Sequence, residues 1–479
     1  QLWHIKLFKM NSLTDETDAD LDLSSNTASE CKEGATSVAL DAADQIHPPQ
    51  SFFAFLLWYF RMFLLHLSPI WFAMSMGTGI TAVILQLLPY QFHGLETIAL
   101  VFFAITLFFY LFFLFLSVIR FLLWPQVFWL LLLHSTQSDF LGCVSMSLST
   151  IIDFCVAHFI KEREGSFRYF VWALWWLNAS FTTILCFGLT FLKTTRHAQY
   201  LNSITGIWLL PMVALIVVAS AGGVVSETLP IHYAKMTIIL SYMMLGAGWS
   251  LIFFTLTLYY ARLIFHKVPP AAIIITVFIP LGPCAQACFG FLRLASAIQN
   301  VYKNSGQSIF GAGLVSPENA RLMDLAIQAC SALLAVSMWG FAFFWLCMAL
   351  TIWVDTWMAT KLKFNLGWWG ACFPMGVYAL ATIEMGTAFD SGSFKVLGVV
   401  LTLATIAIWL FLVSLSLFYV ARGKLYVYPF TDHRFYEPYL GEVSQPPKSV
   451  ESKRQYDFVP RNKIPRIWQY LNKFTGIKW

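Results

Sequence analysis

Charged residues inside apolar stretches are the feature of this sequence most able to do chemistry. Asp153, Arg293 and Glu384 each lie within a long apolar run. A charge at the centre of a bilayer costs on the order of 3 kcal/mol, so we expect these side chains to face one another or water. Two roles stay open. In the first, Arg293 pairs with Glu384 or Asp153 and locks helices together. In the second, Arg293 attracts an anion or Glu384 exchanges a proton in coupled transport.

Histidines and cysteines give no sign of a metal or redox centre. The ten histidines form no HxxH or HxxxH pair. Cys284 and Cys288 are one helical turn apart, but no second pair or histidine completes a ligand set. We therefore expect no metal and no cofactor. The rival class is a membrane-embedded enzyme, such as a desaturase, hydroxylase or intramembrane protease. Such enzymes need clustered histidines or paired acids on facing helices, and this sequence shows neither pattern.

The elements that position the charged residues are membrane spans. The chain has 479 residues, of which 58% are hydrophobic and 11% charged, so it is far from a soluble average. A helix needs about 20 apolar residues to cross the bilayer core. Ten segments qualify, and we number them spans 1 to 10 in chain order: 69–89, 95–123, 139–160, 168–192, 206–227, 235–261, 270–298, 322–354, 367–388 and 394–421.

Odd and even spans differ in composition. Even spans such as 95–123 are rich in Leu and Phe, whereas odd spans carry small residues and prolines. Small residues let helices approach closely or line a passage. The sequence therefore predicts an all-α integral membrane protein of five helical hairpins, with odd helices around a central pore and even helices outside. The predicted pore-lining residues are Gly77, Thr78, Ser145, Ser220, Gly222, Gly223, Gln286 and Arg293, and the predicted helix kinks are Pro211, Pro280, Pro283 and Pro374.

Phe373 is a candidate gate. It comes directly before Pro374, at an expected kink, in a span otherwise rich in small residues. Hydrophobic constrictions can close a narrow passage. Ordinary packing of the ring is the alternative interpretation.

The basic residues predict the orientation and the tails. With the N-terminus inside, ten Lys or Arg residues near span ends lie inside and seven lie outside, which favours cytoplasmic termini. Residues 1–50 are polar and lack a signal-peptide core, so we expect a disordered cytoplasmic tail. Residues 51–425 form the ten-helix transport domain and begin with an interfacial helix at 51–66. Residues 426–479 form a basic cytoplasmic tail. The net charge of +5 is too small to indicate nucleic-acid binding.

Several motifs fall in order along the chain. They are MGTGI (76–80), WPQVFWLLLLHSTQSDFLGCVSMSLSTII (124–152), LPMVALIVVASAGGVV (210–225), PLGPCAQACFGFL (280–292) and FPMGVYALATIEMGTAFDSGSFKVLG (373–398). With these motifs the chain resembles the tellurite-resistance/dicarboxylate transporter family, which includes slow anion channels. It is most similar to fungal sulfite efflux pumps, with fungal malate transporters next. The resemblance covers about residues 52–425.

The resemblance implies further properties. It implies a homotrimer with one pore per subunit, and a phenylalanine on the ninth helix that occludes the pore, which falls at Phe373. It also implies sulfite efflux across the plasma membrane, with malate or another C4-dicarboxylate as the alternative. A dicarboxylate needs paired cationic or multiple donor groups, and Arg293 is the one cation that the sequence places for this role, which favours sulfite. Arg293 itself departs from the neutral residue expected in many relatives.

Overall fold

The computed structural model is all-helical over the residues it describes. These are residues 60–421 apart from 61–62, 66, 161–164, 198 and 311–315. No strand occurs in this part of the chain. The predicted tails, 1–50 and 426–479, lie outside the described residues, as does most of the predicted interfacial helix at 51–66.

All ten predicted spans are confirmed as helical segments long and apolar enough to cross a membrane. Span 2 has the predicted bounds, whereas span 7 continues to Ser305, well past the predicted end at 298. The ten spans are Pro69–Gln86, Leu95–Leu123, Ser138–Ile160, Phe167–Thr195, Gly206–Ser226, Ile231–His266, Ala271–Ser305, Asn319–Ala359, Leu366–Ala388 and Gly392–Val420.

Every odd span begins with a short 3₁₀ segment and continues as an α-helix. The 3₁₀ segments are Pro69–Trp71, Ser138–Phe140, Gly206–Leu209, Ala271–Phe278 and Leu366–Trp368. The α-helices that follow them are Phe72–Gln86, Leu141–Phe154, Leu210–Ser226, Leu281–Ser305 and Trp369–Ala388. The even spans contain the long α-helices Leu95–Leu123, Phe167–Thr195, Ile231–His266, Pro317–Ala359 and Gly392–Ala421.

This change of helix type accounts for three of the four prolines predicted as kinks. Pro211 lies in the first turn of its α-helix, Pro280 is an N-cap, and Pro283 follows within the same first turn. Proline is tolerated there because the amide it lacks has no partner within the helix. These three prolines therefore start helices instead of interrupting them. Of the four prolines, only Pro374 lies beyond the first turn of an α-helix.

Burial separates the spans into two layers. Within their apolar windows the odd spans are 83–94% buried, and the even spans are 28–39% buried. The exposed faces of the even spans carry large apolar side chains such as Phe115 and Leu403. Such a surface suits contact with lipid, whereas the odd spans pack inside protein. The predicted inner and outer layers are confirmed.

The five odd spans pack as a closed ring. Span 1 contacts span 3, which contacts span 5, then span 7, then span 9, and span 9 returns to span 1. Between spans 1 and 3, the hydroxyls of Ser75 and Ser147 lie 2.6 Å apart. Between spans 9 and 1, Sγ of Cys372 donates to the carbonyl of Gly77 at 3.7 Å. Each odd span also packs on the even span that follows it, as five hairpins require.

Two local features were absent from the predictions. A short helix, Pro125–Leu133, connects spans 2 and 3, and proline again begins it. The last part of span 3, Cys155–Ile160, is π-helical. Such wide turns within α-helices occur frequently at functional sites.

Candidate functional site

Two separate cavities lie along the ring of odd spans. The small cavity, with a volume of about 30 Å³, lies at the amino-terminal ends of the odd spans. This volume has room for about two water molecules. All five odd spans line it, through Ile70, Ala73, Met76, Phe140, Cys143, Met146, Ile207, Leu210, Val213, Thr276, Ile279, Gly282, Gly367, Gly370, Phe373 and Pro374.

The large cavity lies at the opposite ends of the odd spans, the side predicted to face outward. Its volume is about 600 Å³. Unlike the small cavity, it is lined by charged and amide side chains as well as apolar ones. The lining residues are Val83, Leu87, Asp153, Val156, Ala157, Ile160, Arg168, Val224, Glu227, Thr228, Phe289, Arg293, Asn300 and Asn304.

A packed layer separates the two cavities. On span 1 the small cavity reaches Met76, and the large cavity begins at Val83. On span 7 the corresponding residues are Gly282 and Phe289. Seven residues of α-helix rise by roughly 10 Å, so the layer is about 10 Å thick. An ion crossing the protein along the ring has to pass this layer.

Phe373 lies at the boundary between the small cavity and the packed layer. Its side chain is 2% exposed, and it lines the small cavity together with Pro374. No residue of span 9 beyond Pro374 lines either cavity among the described residues. The position of Phe373 fits the predicted gate, whose function stays a prediction.

Arg293 lines the large cavity and is paired with two carboxylates. Its Nη2 lies 2.7 Å from Oε2 of Glu227 on span 5, and its Nη1 lies 3.4 Å from Oε1 of Glu384 on span 9. The three side chains are 22%, 19% and 13% exposed, respectively. One guanidinium therefore connects spans 5, 7 and 9. The structure shows the predicted pair with Glu384 and a second pair with Glu227, while attraction of an anion by Arg293 stays a prediction.

Asp153 is the third acid of this region and makes no such pair. It lines the large cavity from span 3 and is 6% exposed. Its Oδ1 has no hydrogen-bond partner in the part of the chain that the structure describes. Arg293 is close enough to interact with it electrostatically. Asp153 also comes directly before Phe154, the residue at which the α-helix gives way to the π-helical turn.

Gln286 and Ser220 lie in the packed layer between the cavities. The Gln286 amide donates a hydrogen bond to the Ser220 hydroxyl, joining spans 7 and 5. Ser220 in turn donates to backbone carbonyls of its own helix, those of Ile216 and Val217. The pair places polar groups at a depth between the two cavities, where an anion crossing the packed layer needs hydrogen-bonding partners.

Thr78 and Ser145 point their hydroxyls at the outer layer. Thr78 accepts a hydrogen bond from the indole of Trp409 on span 10 at 2.9 Å. Ser145 bonds to Thr182 on span 4. Both hydroxyls thus join an odd span to an even one, and neither residue lines a cavity in the described structure.

The three predicted glycines are sites of close helix packing. A Cβ atom at Gly77 would lie 3.2 Å from Cys372 of span 9, and one at Gly223 would lie 3.2 Å from the backbone of span 7. At Gly222 it would collide with Ser241 of span 6 and with Trp175 of span 4. Gly77 and Gly223 therefore allow close contact between neighbouring odd spans, whereas Gly222 allows close contact with the even spans of the outer layer.

Several polar residues that were not predicted as site residues also lie near the two ends of the ring. Arg168, Asn300 and Asn304 line the large cavity near span ends. At the other side, Asp139 is fully buried and its Oδ1 lies 2.8 Å from Nζ of Lys193. Among the described residues no group of three or more His, Cys, Asp or Glu side chains is placed to hold a metal ion.

A closed ring of buried helices, with a cavity at either end and a lipid-facing outer layer, defines a membrane transport protein. The chain belongs to the voltage-dependent anion channel (SLAC1) family, whose model matches residues 66–417. It is an anion transporter of this family, and the family resemblance noted from the motifs is confirmed.

Curated relatives carry more specific names. The chain is 35% identical to a sulfite efflux pump of Arthroderma otae over 360 residues, covering 75% of this chain and 92% of the relative. It is also 35% identical to a sulfite efflux pump of Trichophyton rubrum over 363 residues, with the same coverage of both chains. A malic acid transport protein of Schizosaccharomyces pombe is 23% identical over 351 residues, covering 73% of this chain and 77% of the relative.

Proposed function

We propose that this protein exports sulfite through a passage along the axis of the five odd spans. The observation that carries the proposal is the line of two cavities within one closed ring, separated by a packed layer about 10 Å thick. The relatives named sulfite efflux pumps support the choice of anion. Phe373 is the proposed gate because it lies at the boundary of the packed layer and lines the small cavity.

The lining chemistry suits a small oxyanion. The packed layer contains the Gln286–Ser220 pair, whose Gln286 amide can donate a hydrogen bond to an anion. Beyond this layer, the large cavity is lined by the charged side chains of Arg168, Glu227 and Arg293. An anion that reaches the large cavity meets Arg293 already paired with two carboxylates, so we infer that binding there is weak and release is fast.

Malate or another C4-dicarboxylate is the second candidate substrate. The structure adds an observation in its favour, because Arg168 and Arg293 line the same cavity. A dicarboxylate needs two cationic or multiple donor groups, and the sequence reasoning counted only Arg293. The relative named a malic acid transport protein also supports this candidate, at lower identity than the sulfite efflux pumps.

The test is a flux measurement with purified protein in liposomes loaded with sulfite or malate. We expect sulfite to leave faster than malate, and protein-free liposomes to release neither at a comparable rate. Faster malate release would move the protein to the dicarboxylate branch of the family. No flux of either anion would reject both substrates.

We further propose that the protein lies in the plasma membrane as a homotrimer with cytoplasmic termini. The family resemblance supports the trimer and the plasma membrane, and the excess of basic residues at one side of the spans supports the orientation. Cross-linking in native membranes tests the trimer. Accessibility of tags at the two termini in intact cells tests the orientation.

A further inference from the structure

Arg293 has more carboxylates around it than its guanidinium pairs with, and two of them, Asp153 and Glu227, line the large cavity. Three carboxylates, those of Asp153, Glu227 and Glu384, lie within the electrostatic field of Arg293. Two of them form ion pairs with its guanidinium. The third, Asp153, retains an Oδ1 atom without a partner although the residue is 6% exposed.

An ionised carboxylate in this position would be poorly stabilised. Burying an unpaired charge is strongly unfavourable, and proteins commonly avoid it by taking up or losing a proton. A protonated carboxyl group can donate a hydrogen bond to water in the cavity and needs no cation. The lining position of Asp153 gives such a proton a route to solution through the large cavity.

The other charged or titratable groups around Asp153 lie on span 3 itself, where Cys155 is one, on the spans packed against it, and on spans 7 and 9 of the same ring. Span 1 contributes only apolar side chains, Val83 and Leu87, to the lining of the large cavity. His158, on the same span as Asp153, is paired with Glu96 of span 2 at 3.2 Å. The remaining groups are Arg168 of span 4, Glu227 at the end of span 5, Arg293 of span 7 and Glu384 of span 9.

We propose that Asp153 is a proton-binding site open to the large cavity, and that its ionisation draws Arg293 away from Glu227 and Glu384. While Asp153 is protonated, Arg293 holds spans 5, 7 and 9 together. When Asp153 loses its proton to water, its carboxylate competes for Arg293 and loosens that connection. The inference rests on the proposed anion transport, because it assigns a proton-controlled step to the same pathway.

Infrared difference spectroscopy tests the proton directly and needs no transport. We expect a carbonyl band of a protonated carboxylic acid in the wild-type protein at neutral pH, and its loss in Asp153→Asn. The band should remain in Glu384→Gln, which removes an ion-paired carboxylate at the same end of the ring. Loss of the band in Glu384→Gln and its retention in Asp153→Asn would overturn the assignment.

Flux with varied outer pH and constant inner pH tests the coupling, because the ionisation of sulfite inside the liposomes then stays fixed. Wild-type efflux should rise severalfold as the outer pH rises, whereas Asp153→Asn should stay at the low rate at every pH. Since the amide imitates the protonated acid, this variant should melt no earlier than the wild type. Glu227→Gln, which weakens the hold on Arg293, should raise efflux at low outer pH.

Three outcomes would contradict the inference. An unchanged pH profile in Asp153→Asn would remove the site, while sulfite flux in the wild type would leave the proposed function intact. A requirement for Na⁺ or K⁺, shown by replacing them with N-methylglucamine, would assign the cavity to a metal cation instead of a proton. An infrared band without any anion flux would keep the proton site and remove its coupling to transport.

Discussion

Nη2 of Arg293, in the middle of span 7, lies 2.7 Å from Oε2 of Glu227, at the end of span 5. The chain separates them by 66 residues. The contact with Glu384 extends the connection to span 9. Three of the five members of the ring are thus joined at one end by a single side chain.

Replacing Arg293 by Gln should destabilise the protein by about 1–3 kcal/mol, because two partly buried carboxylates lose their partner. Thermal unfolding in detergent measures this change. Adding Glu384→Gln to Arg293→Gln should recover part of the loss, with a coupling energy of about 0.5–3 kcal/mol. Additive effects of the two substitutions would show that the contact between Arg293 and Glu384 contributes nothing to the free energy of unfolding.

Replacing Phe373 by Ala should raise anion flux, because it widens the boundary between the small cavity and the packed layer. Phe154→Ala is the matched control. Phe154 is also a buried phenylalanine on an odd span, but it stacks on Phe103 of span 2, with ring centroids 4.4 Å apart, and lines neither cavity. The control should lower stability by on the order of 3 kcal/mol without raising flux. Equal flux through wild type and Phe373→Ala would leave Phe373 as a packing residue.

Replacing Gly222 by Ala should disrupt the contact between the inner and outer layers, since the added methyl collides with Ser241 and Trp175. We expect a loss of about 1–3 kcal/mol and a lower melting temperature. Gly246, on span 6, is the control because a Cβ there meets nothing within 4 Å. Gly246→Ala should be neutral or slightly stabilising, since alanine favours helix by up to about 1 kcal/mol. A tolerated Gly222→Ala would contradict the packing described.

Replacing Lys193 by Ala should be strongly destabilising, by about 3 kcal/mol or more, because Asp139 is fully buried and loses its cation. The double variant with Asp139→Asn should recover much of the stability. The exposed pair of Asp390 and Lys395 is the control, and Asp390→Asn should leave the melting temperature nearly unchanged.

The control pair also has a defined pH dependence. The hydrogen bond from Lys395 lowers the pKa of Asp390 below its usual value. The pair's small contribution is therefore present at neutral pH and disappears in acid, as the pH falls through the lowered pKa. Melting curves of wild type and Asp390→Asn should converge at acidic pH. A difference that grows in acid would contradict this.

The layered fold is readable from the sequence because burial imposes composition. A helix surrounded by protein can carry Gly, Ser and Pro, whereas one facing lipid must carry bulky apolar residues. This contrast assigned every span to its layer. It also placed Asp153, Arg293 and Glu384 on buried helices, because lipid-facing positions exclude charge.

The direction in which a small residue points is not readable in the same way. Gly222 and Gly223 are neighbours in the chain, yet one packs on the outer layer and the other on span 7. A rotation of 100° per residue separates neighbouring side chains on a helix, so facing depends on how the helix is rotated in the ring. The sequence could not predict the partner of Arg293 for a related reason. Three acids lie at a similar depth, and only the packing of the helices decides which of them Arg293 contacts.

The unequal sizes of the two cavities also determine where a membrane potential acts. Water in a cavity of about 600 Å³ extends the adjoining solution to the level of Asp153, so little voltage falls across that part of the ring. The small cavity, about 30 Å³, extends the opposite solution hardly at all. The potential is therefore concentrated between Asp153 and the amino-terminal ends of the odd spans. A monovalent anion that crosses this region gains or loses about 2.3 kcal/mol per 100 mV, with Phe373 inside the field and Arg293 outside it.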